Sequence, residues 1–159
     1  ISDFYSCKLP TISLYNYINR LIDIGKFNQT EITIALIYLD RLKLIECKIF
    51  DTNNIHLLFA VSLLLAEKWH TDDILNMNQF AKLFGIKFNE ILLIENHFVK
   101  KMEWKFHVTK NEFEEKVKLI QNSLNMKDMD RRESFILILK DYLENFVIES
   151  KINSKKCCF

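Results

Sequence analysis

Glycine and proline are scarce in this sequence, which has two Gly and one Pro in 159 residues, against 13 Phe. Sandwiches and barrels need turn residues every few positions, so this scarcity argues against an all-β protein. Apolar residues recur instead at helical spacing over long stretches. The composition, 49% hydrophobic and 27% charged, is the ordinary balance of a globular domain, and an all-α fold is expected.

A strong charge of either sign is also absent. The formal net charge is +1, and the pair Lys155-Lys156 is too short to follow a phosphate backbone, so no nucleic-acid partner is expected. The longest uncharged apolar run, Ile55 to Ala66, falls well short of the roughly 20 residues that span a bilayer. The chain opens without a signal-peptide pattern, and an intracellular protein without a membrane span is expected.

The cysteines follow no recognisable pattern. Cys7, Cys47, Cys157 and Cys158 show neither C-x-x-C spacing nor closely spaced His, so neither a zinc site nor a disulfide framework is indicated. Cys157 and Cys158 give only a loose lipidation signal, because a C-a-a-X box needs its Cys fourth from the end, where Lys156 stands. A reducing compartment is the simplest interpretation.

Catalytic and metal-binding patterns are missing as well. The sequence has no nucleophile with a paired base and no Gly-rich phosphate loop. His70 with Asp72 and Asp73 is the one group that could hold a metal, and a turn with acidic caps explains it equally well. No enzymatic activity, metal or cofactor is expected.

Start and stop signals predict a series of helices. Their expected ranges are 11–24, 29–45, 55–70, 77–84, 88–102, 110–123 and 131–152. Gly25 and Gly85 are predicted to end the first and the shortest of them. Asn28 to Glu31 and Thr109 to Glu112 have the form of capping boxes. In the loop 103–108, Trp104 and Phe106 occupy alternate positions and are expected to point the same way.

The third helix is the most informative of these. Its sequence is apolar on every side for almost three turns and then ends at Glu67-Lys68-Trp69. A helix that is hydrophobic all round is buried among other helices. Function is therefore expected where Lys68 emerges from the core.

Several segments together resemble a cyclin box, and their order makes the resemblance specific. The segments are Tyr38-Leu39-Asp40-Arg41, Leu64-Leu65-Ala66-Glu67-Lys68-Trp69, Phe80-Ala81-Lys82-Leu83-Phe84-Gly85-Ile86, Ile94-Glu95, and Trp104-Lys105-Phe106-His107-Val108-Thr109 with Glu112-Phe113. The F-A-K-x-x-G-I segment looks more like the P/U-type cyclins, which are similar to the yeast phosphate-pathway cyclin, than like the mitotic ones. The resemblance covers roughly Leu14 to Phe113.

This resemblance implies a five-helix cyclin box around a central buried third helix, over residues 11–123, with a C-terminal helical extension over residues 124–159. It also implies a regulatory subunit that catalyses nothing. Such a subunit binds a cyclin-dependent protein kinase and presses its αC helix inward, so that the kinase's Lys and Glu pair forms and the activation segment opens.

The resemblance assigns the kinase-binding residues one by one. Lys68 and Glu95 match the family's paired Lys and Glu, although solvated helix-end charges would look the same. The pocket for the kinase αC helix would be lined by Leu65, Trp69, Val99, Trp104 and Phe106. The plain alternative for these five is that they are core residues.

Two further features follow from the resemblance. Arg20 and Asp40 stand where the family has a buried ion pair, and a scaffold role is expected because an unpaired buried charge is costly. The mitotic branch has a substrate-docking patch with Met and Trp where this chain has Asn19 and Lys26. Docking of R-x-L substrates is therefore doubtful.

Two other functions use the same fold. A transcription-factor-like binding module would be expected to have two boxes and a basic face, and this chain has about one box and a charge near neutral. A cyclin-fold scaffold without a kinase would be indicated by loss of Lys68 or Glu95, and both are present.

Overall fold

In a computed structural model, residues 11–72, 76–124 and 131–156 are described, and within them the chain is all-α. The helices are α1 Leu14–Gly25, α2 Gln29–Ile45, α3 Ile55–His70, α4 Met77–Phe84, α5 Phe88–Lys101, α6 Lys110–Leu124 and α7 Arg131–Lys156, with a short 3-10 helix, Cys47–Ile49, after α2. The expected helices are confirmed, with ends that differ by up to four residues. In the described ranges every helix is too short or too polar to cross a membrane. Cys7, Asp73, Cys157 and Cys158 lie outside these ranges.

Helix α3 is the centre of the core, as its apolar sequence predicts. Leu58, Ala60 and Ala66, on different sides of the helix, are each 0% exposed. They can all be buried because α1, α2, α4 and α5 pack around α3. Every residue from Leu57 to Glu67 is buried, and the helix becomes exposed from Lys68 onward.

Two of the helix starts show how well local sequence specifies a cap. The Asn28 side chain accepts hydrogen bonds from the amides of Thr30 and Glu31, and the Glu31 carboxylate accepts one from the Asn28 amide, which completes the predicted capping box. Of the two hydrogen bonds of the capping box predicted at Thr109, only one is formed. The Glu112 amide donates to Thr109 Oγ1 at 3.3 Å, but the Glu112 carboxylate binds Arg41 instead of the Thr109 amide.

Helix α1 ends at Gly25, as predicted, but the left-handed residue follows one position later. Gly25 is the last helical residue, and Lys26 adopts the left-handed conformation with φ of 54°. Glycine is needed at residue 25 for space, because a Cβ there would lie 2.5 Å from Phe27 Cε2 and 2.9 Å from Leu83 Cδ2. Gly85 does take the expected left-handed position, with φ of 72°.

Helices α6 and α7 pack against the preceding helices. Helix α6 contacts α2, while α7 lies across α1 and the 3-10 helix. Phe146 stacks on Phe50 with ring centroids 5.0 Å apart, and Ser150 donates a hydrogen bond to the Cys47 carbonyl. The C-terminal helix is thus joined to the core by apolar and polar contacts. A domain boundary at residue 124 stays a prediction.

Candidate partner-binding surface

Lys68 and Glu95 meet at the point where α3 leaves the core. Lys68 Nζ donates a hydrogen bond to Glu95 Oε1 at 2.6 Å, and the side chains are 29% and 15% exposed. An ammonium has three donors and a carboxylate two acceptor oxygens, so this pair retains hydrogen-bonding capacity beyond its mutual bond. A partly desolvated, oppositely charged pair of this kind can bind the backbone of a partner and specify its register.

Trp69, the next residue of α3, lies half-exposed beside this pair. It is 51% exposed, and its ring stacks on that of Phe106 with centroids 5.3 Å apart and an interplanar angle of 22°. Phe106 itself is 1% exposed. The two rings therefore form a layered platform, with Phe106 as the floor and Trp69 as the face that a partner can contact.

Leu65 and Val99 belong to the core of the free chain. They are 1% and 8% exposed, as the alternative of core residues would have them, and their part in kinase binding stays a prediction. Leu65 lies on α3 one turn before Trp69, where the helix is enclosed on all sides. Val99 follows Glu95 by one turn of α5 and supports the surface from below.

Trp104 and Phe106 do not point the same way. Glu103 and Trp104 have positive φ values of 50° and 60°, so the loop makes a turn instead of the expected extended run. Trp104 is 67% exposed while Phe106 is buried. The Trp104 amide donates to the Val99 carbonyl at 3.3 Å, which holds this exposed indole at the C-terminal end of α5.

The polar residues that hold Phe106 in place lie on α2. Tyr38 Oη donates to the Phe106 carbonyl at 2.9 Å and faces His70 Nε2 at 2.9 Å. Burial raises the pKa of Tyr38 well above its ordinary value, so its hydroxyl keeps its proton. The hydroxyl has one hydrogen, and it is shared in the hydrogen bond to the Phe106 carbonyl. In the contact with His70, Nε2 is therefore the hydrogen-bond donor and Tyr38 Oη the acceptor.

Arg41 and Glu112 complete this support. Arg41 donates to the carbonyls of Lys105 and His107, both at 2.8 Å, and to both carboxylate oxygens of Glu112. The Y-L-D-R segment was part of the family resemblance, but no role for Arg41 was predicted from it. Its partners are 64 to 71 residues away in the chain, and no local pattern indicates them.

The expected ion pair between Arg20 and Asp40 is wrong. Arg20 Nη2 donates to the Lys82 carbonyl at 2.9 Å on α4. Asp40 is bound from the other side, by Lys116 and by Tyr142 Oη at 2.7 Å. Lys116 is 8% exposed, and a buried ammonium needs a carboxylate more than the partly exposed Arg20 does.

On the face of α1 where the mitotic branch has its docking patch, α7 makes contacts. Arg132 Nη2 donates to Asn19 Oδ1 at 2.7 Å and also pairs with Asp23. That this chain does not dock R-x-L substrates stays a prediction. The Arg132 side chain also occupies part of this face of α1. Among the described side chains, no group of three or more His, Cys, Asp or Glu is placed to hold a metal ion.

Comparisons with known proteins point to one family. A family model described as Cyclin matches residues 1–106. Cyclin-U4-1 of Arabidopsis thaliana is 25% identical over 127 residues, which is 79% of this chain and 63% of the relative. Cyclin-U4-2 of the same plant is 28% identical over 81% of this chain and 60% of the relative.

The similarity extends to a fungal protein. A Saccharomyces cerevisiae protein named PHO85 cyclin PHO80 is 24% identical over 140 residues, which is 82% of this chain and 47% of the relative. The chain thus spans less than two thirds of the length of these curated relatives.

Proposed function

Because the chain belongs to the cyclin family and resembles its U-type and PHO80 members, we propose that it is the regulatory subunit of a cyclin-dependent kinase. The observation that carries the proposal is the Lys68–Glu95 pair, bonded at 2.6 Å beside the half-exposed Trp69. Family members are regulators without catalytic activity of their own, and this supports a non-catalytic role.

The binding surface consists of Lys68, Glu95, Trp69 and Trp104, with Phe106, Leu65 and Val99 beneath it. Its exposed aromatic side chains are of the type that dominates binding energy at protein interfaces. The charged pair binds the backbone of the kinase next to its αC helix, and Trp69 and Trp104 contact apolar side chains of that helix.

The proposed surface would activate the kinase through the position of the kinase αC helix. A kinase is active when its αC helix lies inward, so that the αC glutamate pairs with the lysine that binds ATP phosphates. A rigid surface that binds only the inward position shifts the kinase toward that state by its differential affinity. We also propose that the cyclin box spans residues 11–123, that the helical extension follows it over residues 124–159, and that the complex is intracellular.

A reconstituted kinase assay tests this function. Purified PHO85, the kinase named with the yeast relative, is titrated with the chain while phosphorylation of a peptide is measured. We expect saturable activation by the wild-type chain. The double variant Lys68→Ala, Glu95→Ala should bind at least roughly tenfold more weakly, since it removes the charge-assisted hydrogen bonds to the kinase backbone, which contribute about 1.5 to 3 kcal/mol each.

A matched control distinguishes the surface from a general effect of charge. Glu115→Ala with Lys118→Ala removes the same two charges from exposed positions on α6 and should leave activation unchanged. If the surface variant activates as well as this control, the assignment of the surface is wrong. Binding of the wild type without activation would support the scaffold alternative, and absence of binding would contradict a PHO85-type partner.

A further inference from the structure

The segment 105–107 is held at three successive carbonyl groups by side chains of α2. Arg41 Nη1 binds the Lys105 carbonyl and Nη2 the His107 carbonyl, while Tyr38 binds the Phe106 carbonyl between them. Loops normally leave such carbonyls to water. Here each one has a defined donor, so the segment cannot shift without breaking bonds to α2.

Arg41 is itself held by α6. Its Nε donates to Glu112 Oε1 at 3.1 Å and its Nη2 to Glu112 Oε2 at 2.7 Å, which is the two-bond geometry of a guanidinium and a carboxylate. The side chains are 23% and 35% exposed. Glu112 lies beyond residues 1–106, the part matched by the family model, so α6 contributes to this arrangement from outside the matched region.

The side chain in the middle of the held segment is the floor of the aromatic platform. The Phe106 ring meets Tyr38 edge-on with centroids 5.2 Å apart, and its stack with Trp69 lies at 5.3 Å. A shift of the 105–107 backbone therefore moves Phe106, and Trp69 loses its support.

We propose that Arg41, oriented by Glu112, is a positioning residue that holds Trp69 in the orientation needed for partner binding. Through it, α6 contributes to kinase affinity without contacting the kinase. The statement about affinity rests on the proposed function, whereas the statement about Trp69 orientation does not. Lysine cannot replace Arg41, because one ammonium cannot reproduce the planar fork that reaches two carbonyls and a carboxylate.

The test uses the full chain labelled with fluorinated tryptophan. Trp69 and Trp104 are the two tryptophans of the sequence, and Trp104→Phe assigns their fluorine resonances. In the free chain, Arg41→Lys and the isosteric Glu112→Gln should shift and broaden the Trp69 resonance. Glu115→Gln, at an exposed position on the same helix, is the control and should leave it in place.

Affinity for PHO85 is measured on the same variants. Arg41→Lys and Glu112→Gln should each bind up to roughly tenfold more weakly than the wild type and the control, since the charge-assisted bond that is lost, about 1.5 kcal/mol, limits how far the bound orientation of Trp69 is destabilised. The proposal is overturned if folded Glu112→Gln keeps the wild-type Trp69 resonance and affinity. If the wild type does not bind PHO85, a PHO85-type partner is contradicted and the free-chain resonance still decides the positioning role.

Discussion

Lys68 on α3 and Glu95 on α5 are 27 residues apart in the chain and hydrogen-bonded at 2.6 Å in the structure of the free chain. The pair is thus formed before any partner arrives. Binding then avoids the entropy cost of ordering two long side chains, which is about 0.5 to 1.5 kcal/mol for each.

A pair that acts as a unit should give non-additive effects. We expect Lys68→Ala alone to lose nearly as much kinase affinity as the double variant, because Glu95 is then desolvated without its partner. Isothermal titration of the two single variants and the double variant measures this. Losses that add within about 0.5 kcal/mol would show that the residues bind independently.

Asp40→Ala should lower stability, because it leaves the buried Lys116 with only the Tyr142 hydroxyl among its described contacts. The Asp40 side chain is 34% exposed, so the cost should fall between that of an exposed and a buried pair, at roughly 2 to 3 kcal/mol. That corresponds to a melting temperature roughly 4 to 12 °C lower.

The matched control for this prediction is Asp23→Ala. It removes a carboxylate that pairs with Arg132 across α1 and α7, where both side chains are about half exposed. Such surface pairs contribute about 1 kcal/mol or less. Equal melting temperatures for the two variants, measured by calorimetry, would show that the Asp40 pair contributes no more than a surface pair.

The two glycines should respond differently to substitution. Gly25→Ala forces a methyl group against Phe27 and Leu83, both buried, and overpacking of this kind costs about 1 to 3 kcal/mol. Gly85 has nothing within 4 Å of an added Cβ, so its substitutions meet only the strain of positive φ. Asparagine tolerates that conformation. Urea unfolding should therefore find Gly85→Asn close to the wild type and Gly25→Asn destabilised, and the reverse order would contradict both assignments.

Two histidines should make the fold weaker in mild acid. Burial lowers the pKa of His56 and of His70 below the ordinary value of 6.5. Above that pH both the folded and the unfolded chain are neutral at these sites, and stability is fully present. As pH falls below 6.5, the unfolded chain binds protons first, so the free energy of unfolding decreases until the folded pKa is passed.

The contribution of His56 can be isolated by substitution. His56→Gln should reduce the difference in unfolding free energy between pH values of about 7.5 and 5.5, where the ordinary histidine group titrates. The change with pH is the measured quantity, so any constant loss from the substitution cancels. His107→Gln, at an exposed position, is the control, and an equal pH dependence in both variants would exclude a role for His56.

The elements of this fold were largely predictable because their signals are local. An all-round apolar run identifies α3 as central, and the Asn28 and Glu31 spacing specifies the start of α2, since each depends on residues within one helix. The pairing of Lys68 with Glu95 was reached only through the family resemblance. The sequence alone would equally have supported two solvated charges.

What was missed depends on contacts between distant segments. Asp40 binds Lys116 instead of Arg20, and Glu112 binds Arg41 instead of capping its own helix. In both cases two partners compete for one carboxylate, and the packing of α6 against α2 decides the outcome. The burial of Leu65 and Val99 also depends on distant segments. Spacing shows which residues share a helical face, but the helices that cover that face lie elsewhere in the chain.

The most direct test of the central claim follows the fluorine resonances of Trp69 and Trp104 while PHO85 is added to the full chain. A partner seated on the Lys68–Glu95 surface must cover an indole that is 51% exposed and another that is 67% exposed. We expect both resonances to move with the same saturation curve as kinase activation, and acrylamide quenching of the two indoles to decrease. If both resonances stay fixed while a complex forms, the kinase binds another face and the surface proposed for it is wrong.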